Sequence, residues 1–361
     1  TMKQLIHNFT TNPKNDILSG LTVALALVPE AVAFAFVAGV DPLVGLYGAF
    51  MMGLVTSLFG GRPGMISGAT GAMAVVMVYL IKSGNDVGAA LDQPIENLGL
   101  QWLFITLLIV GAIQISAGVL KLGKFVRLIP HPVMMGFVNG LAIVIFLSQL
   151  GLFKQIRGGE SQWLEGSQLY IMFGLVAVTM LIMHFLPRIT KMVPAALAAI
   201  IVVSLVAILG DLDVRTVGSF IRDGGGEGLK AGLPTFQGQI FGVIDTLDGH
   251  WGMVISTAFV LAAVGLIESL MTLNLIDEMT ESRGSGNREC VAQGSANVLN
   301  GLFGGMGGCA MIGQSIINVN SGGRGRLSGI VAALALLCFI LFGAPVIEQI
   351  PIAALVGVMF M

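Results

Sequence analysis

The sequence feature that most constrains the fold is a series of apolar segments along almost the whole chain. A membrane-spanning helix needs roughly 20 mostly apolar residues. Hydrophobic residues make up 55% of the 361-residue chain, and mean hydropathy is +0.90, which is too apolar for one water-soluble core. The sequence therefore predicts an all-α polytopic membrane protein. Its apolar segments lie at about 17–38, 42–59, 70–82, 101–120, 131–150, 168–186, 192–209, 251–276, 290–303, 312–320, 327–343 and 350–361.

Two of these segments, 70–82 and 312–320, are too short to cross a bilayer alone. Each follows a glycine-rich stretch, SLFGGRPGMISGATG at 57–71 and GLFGGMGGCAMIGQS at 301–315, and both stretches contain LFGG with a further Gly after two residues. Upstream of each stretch, an acidic residue interrupts an apolar segment at a matching place: Glu30 in ALVPEAVAFA and Glu268 in VGLIESLMTLN. The chain therefore contains an internal repeat.

The distribution of basic residues predicts that this repeat is inverted. If the N-terminus is cytoplasmic and every segment crosses once, twelve of the 18 Lys and Arg residues lie inside and six outside, as the positive-inside rule requires. The two LFGG stretches then lie at opposite faces. We expect a first repeat at 1–209 with seven helices, a polar extracellular or periplasmic loop at 210–250, and an incomplete second repeat at 251–361 with helices 8–12. The chain stops inside an apolar run, so we expect further helices after Met361.

A helix break inside a membrane predicts a binding site. Non-helical backbone in lipid leaves N–H and C=O groups unpaired, and it is tolerated only where it lines a protein-enclosed cavity. Paired, glycine-interrupted short segments in two repeats are typical of transporter substrate sites. Helices that begin near Thr70 and Gly313 would direct two partially positive N-termini at one anion. The alternative role of glycine is close helix packing, which we expect at Gly45, Gly48, Gly111, Gly118, Gly136 and Gly140.

The two carboxylates within apolar segments are candidates for ion coupling, because charges inside a bilayer are costly and usually functional. Glu268 and Thr272 lie one helical turn apart on one face. A carboxylate, a hydroxyl and freed backbone carbonyls would suit Na⁺, whereas a protonatable Glu would carry H⁺; the sequence leaves both open, for Glu30 as well. A structural hydrogen bond is the alternative. Near the end of the same segment, we expect Asp277 and Glu278 to be solvated.

Several residues near the two carboxylates and the two short helices have two possible roles each. Phe34, one turn beyond Glu30, would line the cavity or simply pack against helices or lipid. Thr70 suits a helix N-cap, and Gln314 and Ser315 would either donate to the anion or cap the second short helix. The cysteines (Cys290, Cys309 and Cys338) lack CxxC spacing, and the four histidines are scattered, so we predict no disulfide framework or His/Cys metal site. A net charge of −2 gives no indication of nucleic-acid binding.

Five stretches of the chain resemble the SulP family of anion transporters, which contains sulfate permeases and bicarbonate transporters. The resemblance implies a seven-plus-seven inverted repeat with two half-helices meeting at mid-membrane, interleaved core and gate domains, elevator-type motion, a following STAS domain absent from this chain, and a homodimer. The chain would end near the twelfth helix. The stretches are ALVPEAVAFAFVAGVDPLVGLYGAF (26–50), LFGGRPGMISGATGAMAVV (58–76), LKLGKFVRLIPHPVMMGFVNG (120–140), GLIESLMTLNLIDEMT (265–280) and GLFGGMGGCAMIGQSIINVNSGGRGRLSG (301–329).

The same resemblance assigns site residues. The coupling residue falls on Glu268, with Thr272 beside it and Na⁺ as the candidate ion there. The chain departs from the family at two positions: many members have Gln in place of Glu30, and many sulfate carriers have Arg in place of Gln314, so a fixed positive charge is missing and a divalent substrate is less well supported. The anion site implied by the resemblance comprises Ala69, Thr70, Gly71, Ala310, Met311 and Ile312.

Together, these observations predict secondary transport of a small inorganic oxyanion, sulfate or bicarbonate, coupled to Na⁺ or H⁺. We expect a bacterial cytoplasmic membrane location with a cytoplasmic N-terminus, and no cofactor other than Na⁺. An anion channel or exchanger of the same fold is the alternative, and a dicarboxylate transporter is less well supported. A membrane-embedded enzyme is disfavoured, because the sequence contains no nucleophile–base set and no HExxH motif.

Overall fold

The computed structural model describes residues 12–123, 149–157, 160–164, 166–189, 195–223 and 232–360, together with single positions between 132 and 147. Most of the segment predicted at 131–150 lies outside the described residues. In chain order the helices are α1 (Pro13–Ala38), α2 (Pro42–Phe59), α3 (Gly71–Ala90), α4 (Leu98–Val119), α5 (Ser167–Ile189), α6 (Ala195–Leu209), α7 (Val217–Asp223), α8 (Trp251–Thr280), α9 (Gly286–Phe303), α10 (Ile312–Asn320), α11 (Arg326–Phe342), α12 (Ala344–Glu348) and α13 (Ile352–Met359).

In the part of the chain that the structure describes, four short strands accompany these helices: β1 (Ser67–Gly68), β2 (Lys154–Arg157), β3 (Glu160–Trp163) and β4 (Cys309–Ala310). β2 and β3 form an antiparallel hairpin, and β1 pairs with β4. Among the described residues, five helices are long and apolar enough to cross a membrane, namely α1, α2, α4, α5 and α8, and α6 and α11 are shorter apolar helices. The predicted all-α polytopic membrane class is confirmed, with these strand pairs as additions.

The chain divides into two compact units, each made of two separate stretches. The first unit draws on Thr1–Gly136 and Leu233–Leu337, and the second on Phe137–Gly232 and Cys338–Met361. In the second unit, α5 packs against α6 and α13. In the first unit, α9 packs along α4 and α2, and α8 packs against α3, α4 and β4. All the predicted site residues belong to the first unit.

Glycine allows the helices of the first unit to approach closely. A Cβ at Gly111 would clash with Val298 of α9, and one at Gly45 would clash with the Ala31 carbonyl of α1. Gly48 and Gly118 have similarly close neighbours, so the packing role predicted for these four glycines is confirmed. A Cβ at Gly136 or Gly140 would meet no atom within 4 Å among the described residues, so no close contact supports the prediction at those two positions.

The first short segment is longer than predicted. α3 has 20 residues, so the expected end at residue 82 is wrong. The last two turns are polar, and they continue because they pack on the start of α4: Gly84 lies against Gly99, and the Asn85 carboxamide oxygen accepts from the Gly99 N–H at 3.0 Å. The length of an apolar segment underestimates the length of a helix whose polar end packs against another part of the protein. The second segment matches its prediction, because α10 covers Ile312–Asn320.

Within the stretch predicted as a loop at 210–250, the structure contains α7 and a 3-10 helix at Gly238–Leu247. The 3-10 helix buries Ile240 and Leu247 completely, and the Thr246 hydroxyl accepts from the Trp102 indole of α4 at 3.0 Å. These contacts attach part of the connection to the first unit.

Two breaks in the helical order position the site. We call residues 60–70, between α2 and α3, the first break, and residues 304–311, between α9 and α10, the second break. β1 lies in the first break and β4 in the second. They pair antiparallel, with Ser67 opposite Ala310 and Gly68 opposite Cys309. The two sequence repeats therefore meet through backbone hydrogen bonds.

Candidate functional site: two helix N-termini at a strand pair

The strand pair brings two helix N-termini to one place. α3 begins at Gly71, three residues after β1, and α10 begins at Ile312, two residues after β4. Because β1 and β4 are antiparallel, the two helices leave the pair in opposite directions, with their N-termini toward it. The predicted meeting of two helix N-termini is therefore present, although α3, with 20 residues, is longer than a half-helix. Six residues predicted for the anion site line these junctions: Ala69, Thr70, Gly71, Ala310, Met311 and Ile312.

Neither helix N-terminus is capped by a side chain. Thr70 is the N-cap residue of α3 and Met311 that of α10, and neither makes a side-chain cap hydrogen bond. The first backbone bonds of this region join Ala74 N–H to the Thr70 carbonyl and Ser315 N–H to the Met311 carbonyl. The Met311 N–H is bonded to the Ile66 carbonyl at 2.9 Å, whereas the N–H groups of residues 71–73 and 312–314 make no backbone hydrogen bond among the described residues and lie at the positive ends of two helix dipoles. The predicted capping role of the Thr70 hydroxyl is wrong.

The Thr70 hydroxyl is instead part of a buried polar chain. It lies 3.1 Å from the Cys309 Sγ, and the Cys309 thiol donates to the Glu268 Oε2 at 3.0 Å. Thr70 and Cys309 are buried, and Glu268 is partly buried. The predicted coupling carboxylate and the predicted anion-binding threonine are therefore joined through a cysteine, which the sequence had offered only as an unpaired thiol.

A second carboxylate lies at the start of α10. Gln314 Nε2 donates to Glu30 Oε1 at 2.6 Å, so these two side chains, at the positions where the sequence differs from many members of the family it resembles, contact each other. Gln314 is 2% exposed, and no described residue gives its Oε1 a hydrogen bond. A buried amide oxygen without a donor is costly, and here it lies one turn into a helix whose N-terminus is open.

The remaining predicted residues take no part in the hydrogen-bonded chain of side chains from Thr70 to Glu268. Thr272 is buried, and its hydroxyl donates to the Glu268 backbone carbonyl at 2.8 Å, so no bond joins it to the Glu268 carboxylate. Phe34 is buried on α1, outside the hydrogen-bonded cluster. Ser315 does not cap α10; its hydroxyl accepts from the Ile66 N–H at 3.0 Å and so supports the first break from the second repeat.

The backbone of the second break is held by neutral side chains. Asn297 of α9 bonds both the N–H and the carbonyl of Gly308, at 3.0 and 3.1 Å, and it donates to Gln114 of α4 at 2.9 Å. The Ser269 hydroxyl accepts from the Ala310 N–H at 3.1 Å. The prediction from sequence missed Asn297, Gln114 and Ser269. The sequence feature that could have indicated them is a polar side chain within an apolar segment.

The first break is held mainly by charged side chains. Arg326 donates to the carbonyls of Ser57, Leu58 and Gly60, and Glu289 accepts from the Gly61 N–H at 2.7 Å. These two charged residues are almost completely buried. They hold the point where α2 ends and the break begins.

Arg62, inside the first break, reaches the end of α8. Its Nε lies 3.2 Å from the Asp277 carboxylate, and its side chain also bonds Thr280 and Ser282. The prediction that Asp277 is solvated is wrong, because this carboxylate is 13% exposed and paired with Arg62. The ion pair connects the first break to the helix that carries Glu268.

This arrangement has the chemistry of an anion site next to a protonatable or cation-binding site. Two helix N-termini offer backbone donors, and two carboxylates lie beside them. Among the described residues, no group of three His, Cys, Asp or Glu side chains could hold a metal ion.

Comparison with known proteins gives a family match over nearly the whole chain. The sulfate permease family matches residues 14–361. The candidate sulfate transporter YbaR of Bacillus subtilis is 44% identical over 351 residues, which cover 97% of this chain and 66% of YbaR. The bicarbonate transporter BicA of Synechocystis is 35% identical over 361 residues, which cover 97% of this chain and 60% of BicA.

A solved structure agrees with this match. The transmembrane domain of a cyanobacterial bicarbonate transporter BicA superposes with a TM-score of 0.80 at 33% identity, and the match covers 97% of this chain and 88% of that domain. The chain spans less than two thirds of the length of YbaR and BicA.

Proposed function

Because this chain belongs to the sulfate permease family, we propose that it carries a small inorganic oxyanion across a membrane by secondary active transport. The observation that carries this proposal is the meeting of the α3 and α10 N-termini at the β1–β4 pair. Two uncapped N-termini supply converging N–H donors and partial positive charge, which favour an anion without a Lys or Arg ligand. The names of YbaR and BicA, which refer to sulfate and bicarbonate, support the same class of substrate.

Between these two anions, the side chains favour bicarbonate. The unpartnered, buried Gln314 Oε1 needs a hydrogen-bond donor, and bicarbonate carries an O–H that sulfate lacks. Glu30, 2.6 Å from the Gln314 amide nitrogen, places negative charge where a divalent anion would be repelled more strongly than a monovalent one. Sulfate is the second candidate, because the relative at 44% identity bears a sulfate name.

For the coupling ion, we propose H⁺ carried by Glu268, with Na⁺ as the alternative. The Glu268 carboxylate contacts the Cys309 thiol, and the Thr272 hydroxyl proton is already donated to a backbone carbonyl. A Na⁺ ion at this place would use Glu268, the remaining lone pairs of Thr272 and backbone carbonyls. A proton needs only the carboxylate. Exchange or channel conduction by the same fold predicts transport without a cation gradient.

The proposal has three further parts. Transport proceeds by alternating access with an elevator-type motion, and the protein forms a homodimer. It lies in a bacterial cytoplasmic membrane with its N-terminus on the inner side. The division of the chain into two compact units, each made of two stretches, supports the elevator motion. The Bacillus and cyanobacterial relatives support the membrane.

Radiolabelled uptake into proteoliposomes tests the proposal. Label from bicarbonate also enters protein-free liposomes as CO2, so uptake is taken as the excess over protein-free liposomes under the same gradient. We expect this excess to be larger for bicarbonate than for sulfate, to rise under an inward H⁺ gradient, and to be independent of Na⁺. Glu268→Gln should abolish the excess accumulation because the amide cannot carry the proton, while the matched Glu278→Gln variant, at the end of the same helix, should behave as wild type. Failure of an imposed H⁺ gradient, a Na⁺ gradient and a counter-anion alike to drive accumulation of either anion would contradict secondary transport, and gradient-driven accumulation by Glu268→Gln would contradict the coupling role.

A further inference from the structure

A polar cavity lies at the start of the first break. Its volume is about 360 Å³, which is in the range of small-molecule sites. Three arginines line it, namely Arg62, Arg283 and Arg324, together with the hydroxyl-bearing Thr280 and Ser282. Among the described residues that line it, none is acidic and none belongs to β1, β4 or the N-termini of α3 and α10. We call it the arginine cavity.

Backbone packing brings these arginines together. The Gly61 carbonyl accepts from the Ser285 N–H at 3.0 Å, which holds the turn after α8 against the first break. Gly64 has a φ of +80° and lies against the Arg324 backbone, whose carbonyl oxygen would be 3.3 Å from a Cβ at Gly64. The fold itself therefore forms the arginine cavity.

Arg62 has a hydrogen-bond donor that the described residues leave unused. Its side chain is buried, and its Nε lies 3.2 Å from the Asp277 carboxylate. Its Nη2 donates to the Ile276 carbonyl and to the hydroxyls of Thr280 and Ser282. No described residue accepts a hydrogen bond from Nη1. Because an unpaired donor of a buried, charged group is costly, a ligand oxygen at this nitrogen would be favourable.

The arginine cavity carries more positive than negative charge. Asp277 balances Arg62, and the two other carboxylates near the end of α8 are exposed and do not line the cavity. Arg283 and Arg324 are exposed, and no described residue bonds either guanidinium. The nearby Asp16 carboxylate accepts from the backbone N–H groups of residues 324 and 325 instead. Two arginines in one cavity, of which Arg324 opposes the charge of Arg62, therefore attract anions.

We propose that the arginine cavity is a second oxyanion site that binds a phosphate group, separate from the site between the two helix N-termini. Guanidinium groups bind phosphate oxygens in bidentate pairs, and a dianion matches the two arginines that have no carboxylate partner. The bound group would accept from Arg62 Nη1 and offset the repulsion between Arg62 and Arg324, so it would strengthen the attachment of the first break to α8. Either a free anion or a lipid headgroup supplies this chemistry, and neither needs to be transported.

Binding of radiolabelled inorganic phosphate to the purified full-length protein in detergent tests this inference. The pH is mildly alkaline, so that phosphate is a dianion, and chloride keeps the ionic strength constant, so that general screening is equal in all samples. We expect one saturable site in the wild type. Arg283→Ala and Arg324→Ala should each weaken binding about tenfold, the effect of one charge-assisted hydrogen bond. Lys14→Ala, at an exposed lysine outside the cavity, should bind as the wild type does.

Three further measurements separate a binding role from a structural one. Without phosphate, the double variant Arg283→Ala/Arg324→Ala should melt at the wild-type temperature, because both side chains are exposed. With saturating phosphate, the melting temperature should rise in the wild type and not in the double variant. Arg324→Lys, which keeps the charge but loses the planar fork, should bind with an affinity between those of the wild type and Arg324→Ala.

Nanodiscs distinguish the two sources of the phosphate group. Phosphatidic acid exposes a terminal phosphate, whereas phosphatidylglycerol, at matched surface charge, carries only a phosphodiester. Weaker binding of soluble phosphate to the wild type in phosphatidic acid nanodiscs than in phosphatidylglycerol nanodiscs would identify a lipid headgroup as the occupant. Equal binding would identify a free anion, and both results support the site.

The outcomes also separate this inference from the proposed function. No saturable phosphate binding by the wild type in detergent or in nanodiscs, or equal affinities of the wild type and the double variant, would overturn the inference and leave oxyanion transport in place. Uptake of neither bicarbonate nor sulfate would refute the transport proposal, and phosphate binding in the arginine cavity would stand independently.

Discussion

The two breaks share a sequence pattern but are held by different chemistry. Charged side chains hold the first break: Arg326 bonds its entry carbonyls, Glu289 bonds Gly61, and Arg62 pairs with Asp277. Neutral side chains hold the second break, chiefly Asn297 and Ser269. The repeats therefore conserve where the helix is interrupted without conserving what holds the interruption.

The proposed cytoplasmic N-terminus would account for this difference. With that orientation, the Arg residues that contact or flank the first break belong to the inner side, where basic residues concentrate. The chain would enter the second break from the outer side, where Lys and Arg are few, and an uncharged amide can satisfy freed backbone without the cost of burying an ion. Under the proposed orientation, inverted repeats place equivalent backbone in unequal charge environments.

The largest effect is expected at the contact between the two breaks. A Cβ at Gly308 would clash with the Gly68 carbonyl oxygen, so Gly308→Ala should prevent β1–β4 pairing and abolish both folding yield and uptake. Gly313, at the start of α10, has open space within 4 Å, and Gly313→Ala should leave the yield and the melting temperature at or above wild type, because Ala favours helix. Size-exclusion profiles and melting temperatures measure both. A well-folded, active Gly308→Ala protein would contradict the strand pairing.

The second-largest effect is expected when the main side-chain support of the first break is removed. Arg326→Ala leaves three backbone carbonyls without their donor and removes one of the two cations, the other being Arg288, that act on the buried Glu289, and we expect a loss of about 3–5 kcal/mol of stability. Arg324→Ala is the matched control, because the Arg324 side chain is exposed and has no bonded partner among the described residues. Chemical unfolding in detergent measures the difference. Equal stability of the two variants would refute a charged support for the first break.

Loss of the main support of the second break should cost somewhat less. Asn297→Ala leaves the Gly308 N–H and carbonyl and the Gln114 oxygen unpaired, and we expect a loss of about 3 kcal/mol. Asn300→Ala, on the same helix and equally buried, removes one bond to its own helix and should cost about 1 kcal/mol. If the melting temperatures fall by the same amount, Asn297 has no special role at the second break.

The smallest effect is expected at Glu30, where the two halves of the site contact each other. Glu30→Gln keeps an oxygen that can accept from Gln314 but removes the negative charge, so sulfate uptake relative to bicarbonate should rise on the order of a few-fold. Thr22→Val, elsewhere on α1, serves as a control because its hydroxyl bonds only its own helix. An unchanged selectivity in Glu30→Gln would show that Glu30 does not act on the anion.

The sequence predicted the positions of both breaks and the two carboxylates, because glycine clusters and charges are conspicuous in apolar segments. It did not predict the Cys309 link or the Asn297 support, because these depend on partners about 11 to 239 residues away in the chain. Cysteine spacing indicates disulfides and metal sites, but it contains no information about a thiol that joins a hydroxyl to a carboxylate. The predicted length of α3 was wrong for a related reason, because the polar end of this helix is stabilised by contacts with α4.

The most direct test of the central claim is a structure of the protein determined with saturating bicarbonate. The account predicts anion density within hydrogen-bond distance of the first N–H groups of α3 and α10, next to the Thr70 hydroxyl and the Gln314 amide oxygen. Anion density coordinated by Arg or Lys side chains away from the β1–β4 pair, with no density between the two helix N-termini, would contradict it.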